Sequence, residues 1–319
     1  MANTLGAFRA ALLIGWLVLT AAGLLYARIK SIPSWAAVPA LAAFLVEYSF
    51  YLVPAFPELR KRLAGSILPL FLILSALVPY VACYAAVGRL DPANLAALAA
   101  FPLAMSLWYR VFPMNIAFDL AFLAFLCLLL LGGYFEAVYF PFYKGLPIAI
   151  LGRLALFRTA ALVLMLDRRI PETGYSFIPN RREWRIGLLH YLYFLPAAAC
   201  LALPLRAVRF ASPAPLWKTI GIFLAFLWVV ALFEEFVFRG VLQPWLADWT
   251  GSRAAGLLVA SVVFGSVHLW FRTFPNWRWA LIAGVLGWFC GRARDQAGSI
   301  RAGMVTHALA VATWRGFFV

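Results

Sequence analysis

Apolar residues run through this chain in long blocks, not in the one-in-two alternation of a half-buried strand or the single stripe of a surface helix. Blocks near 8–27, 35–55, 64–88, 93–109, 114–138, 186–205, 216–245, 253–271, 277–291 and 301–318 are apolar over most of their length, with polar, Pro or Gly positions at many of their ends. A helix of about 20 such residues crosses the hydrocarbon core of a bilayer. The pattern predicts an all-α fold, a polytopic transmembrane helical bundle of about 8–11 spans. One further block, 146–166, contains Arg153 and Arg158. It either lies in the interface or spans with its arginines turned toward protein.

Composition agrees with this pattern. Of the 319 residues, 65% are hydrophobic and 12% charged, about half the charged share of an ordinary soluble domain. A water-soluble globule is excluded, because too little polar surface exists to cover the apolar volume. The net charge of +15 comes from arginines grouped between the blocks, as at Arg60–Arg62, Arg168–Arg169, Arg181–Arg182 and Arg292 with Arg294. That placement marks topology and meets anionic headgroups, so membrane lipids are expected partners and nucleic acid is not. The side holding Arg60–Arg62, 168–185 and 292–301 is expected to be cytoplasmic. The cysteines Cys83, Cys127, Cys200 and Cys290 all sit in apolar runs and read as small buried hydrophobes. Arg9 and the apolar run after it read as a first membrane helix in preference to a cleaved signal. The most polar loop, 167–185, divides the chain into a membrane region of unknown role, 1–180, and a bundle, 181–319, holding all three histidines.

Ionisable groups at bilayer depth cost several kcal/mol and need a partner or a role. Glu47, Asp119 and Glu136 are isolated in sequence and read as helix-end or interhelical hydrogen-bonding groups. The run Glu234-Glu235-Phe236-Val237-Phe238-Arg239-Gly240 is different. Positions four apart share a helix face, so Arg239 neutralises Glu235. Glu234 points about 100° away and is left available as a general base. Phe264 and His268 share a face of the next helix, and His307 lies in the last one. Counted at about 1.5 Å per residue from their helix ends, Glu234, His268 and His307 reach similar depths and can meet at one level. A carboxylate and two imidazoles there can hold a water and polarise a carbonyl.

Glu-Glu-x-x-x-Arg, then Phe-x-x-x-His, then a final membrane His, in that order, resembles the CPBP family, which includes CAAX prenyl proteases and bacteriocin-processing or immunity (Abi) proteins. Arg239, Gly240 and Leu242 extend the match, and the resemblance covers about residues 215–315. It implies an intramembrane glutamic endopeptidase that cuts a membrane-anchored peptide or protein substrate, in the bacterial cytoplasmic membrane. Glu234 would activate water, His268 would hold that water, and His307 would stabilise the oxyanion. Glu235 and Arg239 would support the site and Phe264 would shape it. No cofactor is expected. Zinc is the alternative, since two histidines and a carboxylate make three ligands, but no H-E-x-x-H helix is present. The family usually places Asn or Asp four residues after the last His, where this chain has Val311. That departure motivates a second reading, a non-catalytic binding or immunity protein. A third, a proton-coupled transporter, would draw on intramembrane Glu and His, but no internal repeat supports it.

Overall fold

The computed structural model describes residues 2–318, and every regular element among them is helical. The chain forms two compact units, Met1–Pro171 and Glu172–Val319. Six helical segments among the described residues are long and apolar enough to cross a membrane: Thr4–Ile29, Ser34–Ala55, Ile67–Tyr84, Arg181–Ala202, Leu216–Thr250 and Arg253–Trp270. The protein is an integral, polytopic, all-α membrane protein.

The first unit contains α1 (Ala2–Ile29), α2 (Ser34–Tyr51), α3 (Ile67–Tyr84), α4 (Pro92–Val111), α5 (Ile116–Leu131) and α6 (Ile150–Leu166), with shorter turns between them. The block 146–166 resolves as α6, and twelve of its 17 residues are buried. It packs against α2, α3, α4 and α5 and is the central helix of this unit. Arg158 is fully buried there in an ion pair with Glu47 of α2, and Arg153 pairs with Glu136. Asp119 accepts two hydrogen bonds of 2.8 Å from Arg168. All three isolated acids are therefore interhelical, each answered by an arginine. The expected helix 114–138 is broken at Gly132-Gly133. Gly133 has φ +74, a backbone conformation that ends α5 before the short helix Tyr134–Val138 begins.

The second unit contains α7 (Arg181–Ala202), α8 (Leu216–Thr250), α9 (Arg253–Val267), α10 (Trp277–Ala297) and α11 (Ile300–Phe317). Helix α7 starts on a capping box, in which Asn180 and Glu183 each bond the other's backbone N–H. Glu183 also meets Arg301 at 2.8 Å, which ties the start of α7 to α11. Lower down, Thr306 donates to the Gly187 carbonyl at 2.8 Å. A Cβ at Gly187 would lie 2.6 Å from the Ala302 carbonyl oxygen, so only glycine permits this approach. Helix α10 packs against α7, α9 and α11, and α8 packs against α9 and α11.

Candidate active site

Helix α8 is not wound uniformly. It widens to π geometry over Phe226–Ala231 and again over Phe236–Leu242, either side of the four α-helical residues Leu232–Glu235. Such π turns often mark functional sites. Arg239 lies within this second wide turn, four residues after Glu235. Arg239 Nε lies 3.3 Å from Glu235 Oε2, and both side chains are almost wholly buried. The guanidinium also sits over the Phe264 ring, 4.2 Å from its centroid. Flat cation–π packing of this kind offsets part of the cost of burying the charge.

The two adjacent glutamates are thereby separated. Glu235 is fully buried, whereas the Glu234 side chain keeps 27% exposure and faces a cavity of about 430 Å³. His268 and His307 line the same cavity. His307 connects the two acids. Its Nδ1 lies 2.9 Å from Glu235 Oε1 and its Nε2 lies 3.7 Å from Glu234 Oε2. A carboxylate can only accept, so the assigned tautomer has Nδ1–H donating to Glu235 and Nε2 turned toward Glu234. The Nε2–Oε2 gap is too long for a direct hydrogen bond, and Oε2 of Glu234 is buried with no partner.

His268 does not lie within an α-helix that continues to 271, as the apolar block 253–271 suggested. It caps α9 and opens a 3₁₀ turn, His268–Trp270. Its Nδ1 donates to the Phe264 carbonyl at 2.8 Å, so its Nε2 carries the free lone pair. The Phe264 ring packs between the imidazoles, with centroids 4.8 Å from His268 and 5.7 Å from His307. All six residues singled out from sequence thus belong to one constellation.

Other members were not foreseen. Cys290 of α10 brings its sulfur near Glu235 and His307, and the three ligand atoms lie within 4.8 Å of one another. A carboxylate, an imidazole and a thiol form a plausible donor set, but Arg239 already supplies the cation beside Glu235 and opposes a second one. Gly303 is the other addition. A Cβ there would sit 2.7 Å from Glu235 Oε2. Gly303→Ala is therefore expected to push Glu235 off His307 and to lower the thermal midpoint, read by fluorescence-detected unfolding in detergent, while Gly221→Ala, at an exposed helical position where an added Cβ meets nothing within 4 Å, serves as the control. Val311 lines the cavity, at the position where the resemblance leads one to expect Asn or Asp. Neither nearby threonine takes over: Thr306 is committed to Gly187, and Thr313 lies 2.6 Å from the Tyr191 hydroxyl.

Residues 216–313, which run from the start of α8 into the last turns of α11, match the family profile described as type II CAAX prenyl endopeptidase Rce1-like. Comparison with curated proteins and with solved structures finds no match. The matched segment contains Glu234, Glu235, Arg239, Phe264, His268 and His307, and the match supports assigning it to the CPBP family of CAAX-type membrane proteases.

Proposed function

We propose that this protein is an intramembrane endopeptidase in which Glu234 activates a water against a peptide carbonyl without a metal. The observation that carries the reading is the split between the two glutamates: one is locked to Arg239 and His307, and the other faces the cavity with an unpartnered oxygen. A water in the cavity gives one proton to Glu234 and donates its other hydrogen to Nε2 of His268. Its oxygen adds to the carbonyl carbon. His307, held through Nδ1–H by Glu235, stabilises the oxyanion in its doubly protonated form, in which Nε2 also carries a hydrogen to donate. The tetrahedral intermediate collapses as Glu234 returns its proton to the leaving nitrogen.

The cavity is lined almost entirely by apolar side chains, which suits a lipid-anchored or amphipathic substrate entering from the bilayer. The family resemblance and the arginine-rich loops support a bacterial cytoplasmic membrane as its location. The test is cleavage of a membrane-anchored reporter peptide in proteoliposomes. Turnover is expected from the wild type, insensitive to strong zinc chelators. His268→Ala is expected to lower turnover about 10²-fold or more, because the water loses its second anchor. Full activity in that variant overturns the mechanism, and loss of activity on chelation returns it to zinc.

Val311 supports a second reading, a binding or immunity protein on the same scaffold. A cellular phenotype unchanged by Glu234→Gln would select it.

A further inference from the structure

Away from the active-site cavity, the second unit holds another space, of about 910 Å³, where α8 ends, α9 begins and α10 reaches its last turns. Two apolar spans, Leu216–Thr250 and Arg253–Trp270, finish and start beside it, so it lies at the level of a membrane surface. Its lining carries both signs of charge. Asp295 is already engaged, since its Oδ1 accepts from Gln243 Nε2 at 3.0 Å and from Arg294 Nη1 at 2.9 Å. Arg253, Arg292 and Asp248 are not. All three are exposed, and none of their side chains has an ion-pair or hydrogen-bond partner among the described residues. Gln243 lines the same space and is 3% exposed. Its amide nitrogen is assigned by the bond to Asp295, which leaves its carbonyl oxygen without a donor among the described residues.

The other walls are apolar and include Ala254, Leu257 and the exposed Trp288. Leu258 and Val262 follow Ala254 at four-residue steps along α9, away from the charged rim, and both are more than half exposed. A polar pocket therefore continues into a bare apolar strip on one helix face.

We propose that this space seats the headgroup of a glycerophospholipid whose phosphate ester carries a primary ammonium, the phosphoethanolamine class. Arg253 and Arg292 take the phosphodiester. Asp248, with the Gln243 carbonyl, accepts from the ammonium, and an acyl chain lies along Leu258 and Val262. A purely anionic headgroup satisfies the arginines but sets a like charge against Asp248, and a choline headgroup has no N–H to give either acceptor. A soluble phosphate ester leaves the apolar strip unused. The site shares no residue with the Glu234 cavity, so lipid binding here is independent of whether that cavity cuts peptides.

The experiment titrates the full chain in detergent with phosphatidylethanolamine, phosphatidylcholine and phosphatidylglycerol of matched chains, and reads binding by native mass spectrometry. The ethanolamine lipid is expected to bind about tenfold more tightly than the choline lipid, the scale of a charge-assisted hydrogen bond. Asp248→Asn is expected to bring that ratio close to one with helical circular dichroism unchanged, because the residue is exposed. Arg253→Gln/Arg292→Gln is expected to weaken both lipids about tenfold or more. Equal binding of the ethanolamine and choline lipids by the wild type overturns the proposal. So does a preference that survives Asp248→Asn, or lipid binding unchanged in the double arginine variant. Tighter binding of phosphatidylglycerol than of phosphatidylethanolamine assigns the arginines to anionic lipid and overturns it too. Soluble phosphoethanolamine is added as a competitor. Displacement of the lipid at equal concentration makes the ligand a free phosphate ester and removes the lipid from the site.

Discussion

Glu234→Gln is expected to reduce turnover about 10²–10⁴-fold, the range of a positioned general base. The amide is close in size and shape to the carboxylate but cannot take the proton of water. The structure also predicts what this variant does not do. Glu234 holds neither Arg239 nor any hydrogen-bond partner, so its loss leaves the buried network of Glu235, Arg239 and His307 in place. The thermal midpoint and helical circular dichroism are expected to match the wild type within experimental error, while cleavage of the membrane-anchored reporter falls to background. Undiminished turnover in a correctly folded Glu234→Gln protein would remove the acid from the mechanism and, with it, the reason for reading this cavity as a peptidase site.

The neighbouring residue gives the opposite result. Glu235→Ala leaves the Arg239 guanidinium buried and unanswered, which typically costs about 3–5 kcal/mol. Arg239 Nη1 and Nη2 already lack hydrogen-bond partners, and the residue is 1% exposed. Equilibrium unfolding in a mixed-detergent titration should show this loss, and His307 loses the group that orients it. Glu235→Ala/Arg239→Met is expected to recover most of the stability, because both charges leave together, but none of the activity. If Glu235→Ala proves as stable as the wild type, the ion pair is not what organises the site.

These two contrasting outcomes were readable from seven residues of sequence, because a four-residue spacing on a helix is a local rule. The depth argument that grouped Glu234, His268 and His307 also needed only helix rise. The structure adds what local rules do not encode. Nothing in Phe-Val-Phe-Arg-Gly-Val-Leu announces a π turn, which in the fold packs against α9 and α11. The end of α9 at His268 has no Gly or Pro beside it to signal a stop. The bond from His307 to Glu235 joins positions 72 apart. The same holds for the first unit: Glu47, Asp119 and Glu136 looked alike in sequence, and only the fold shows which arginine each one meets.

The pairing of Glu47 with Arg158 has a consequence for how the chain is made. The two residues are 111 positions apart. At ordinary ribosomal speeds the acid leaves the exit tunnel on the order of ten seconds before the base that neutralises it. During that interval α2 carries an uncompensated carboxylate, which a lipid environment resists. Until α6 arrives and closes the unit around it, that acid is expected either to stay protonated or to remain in a wetter setting.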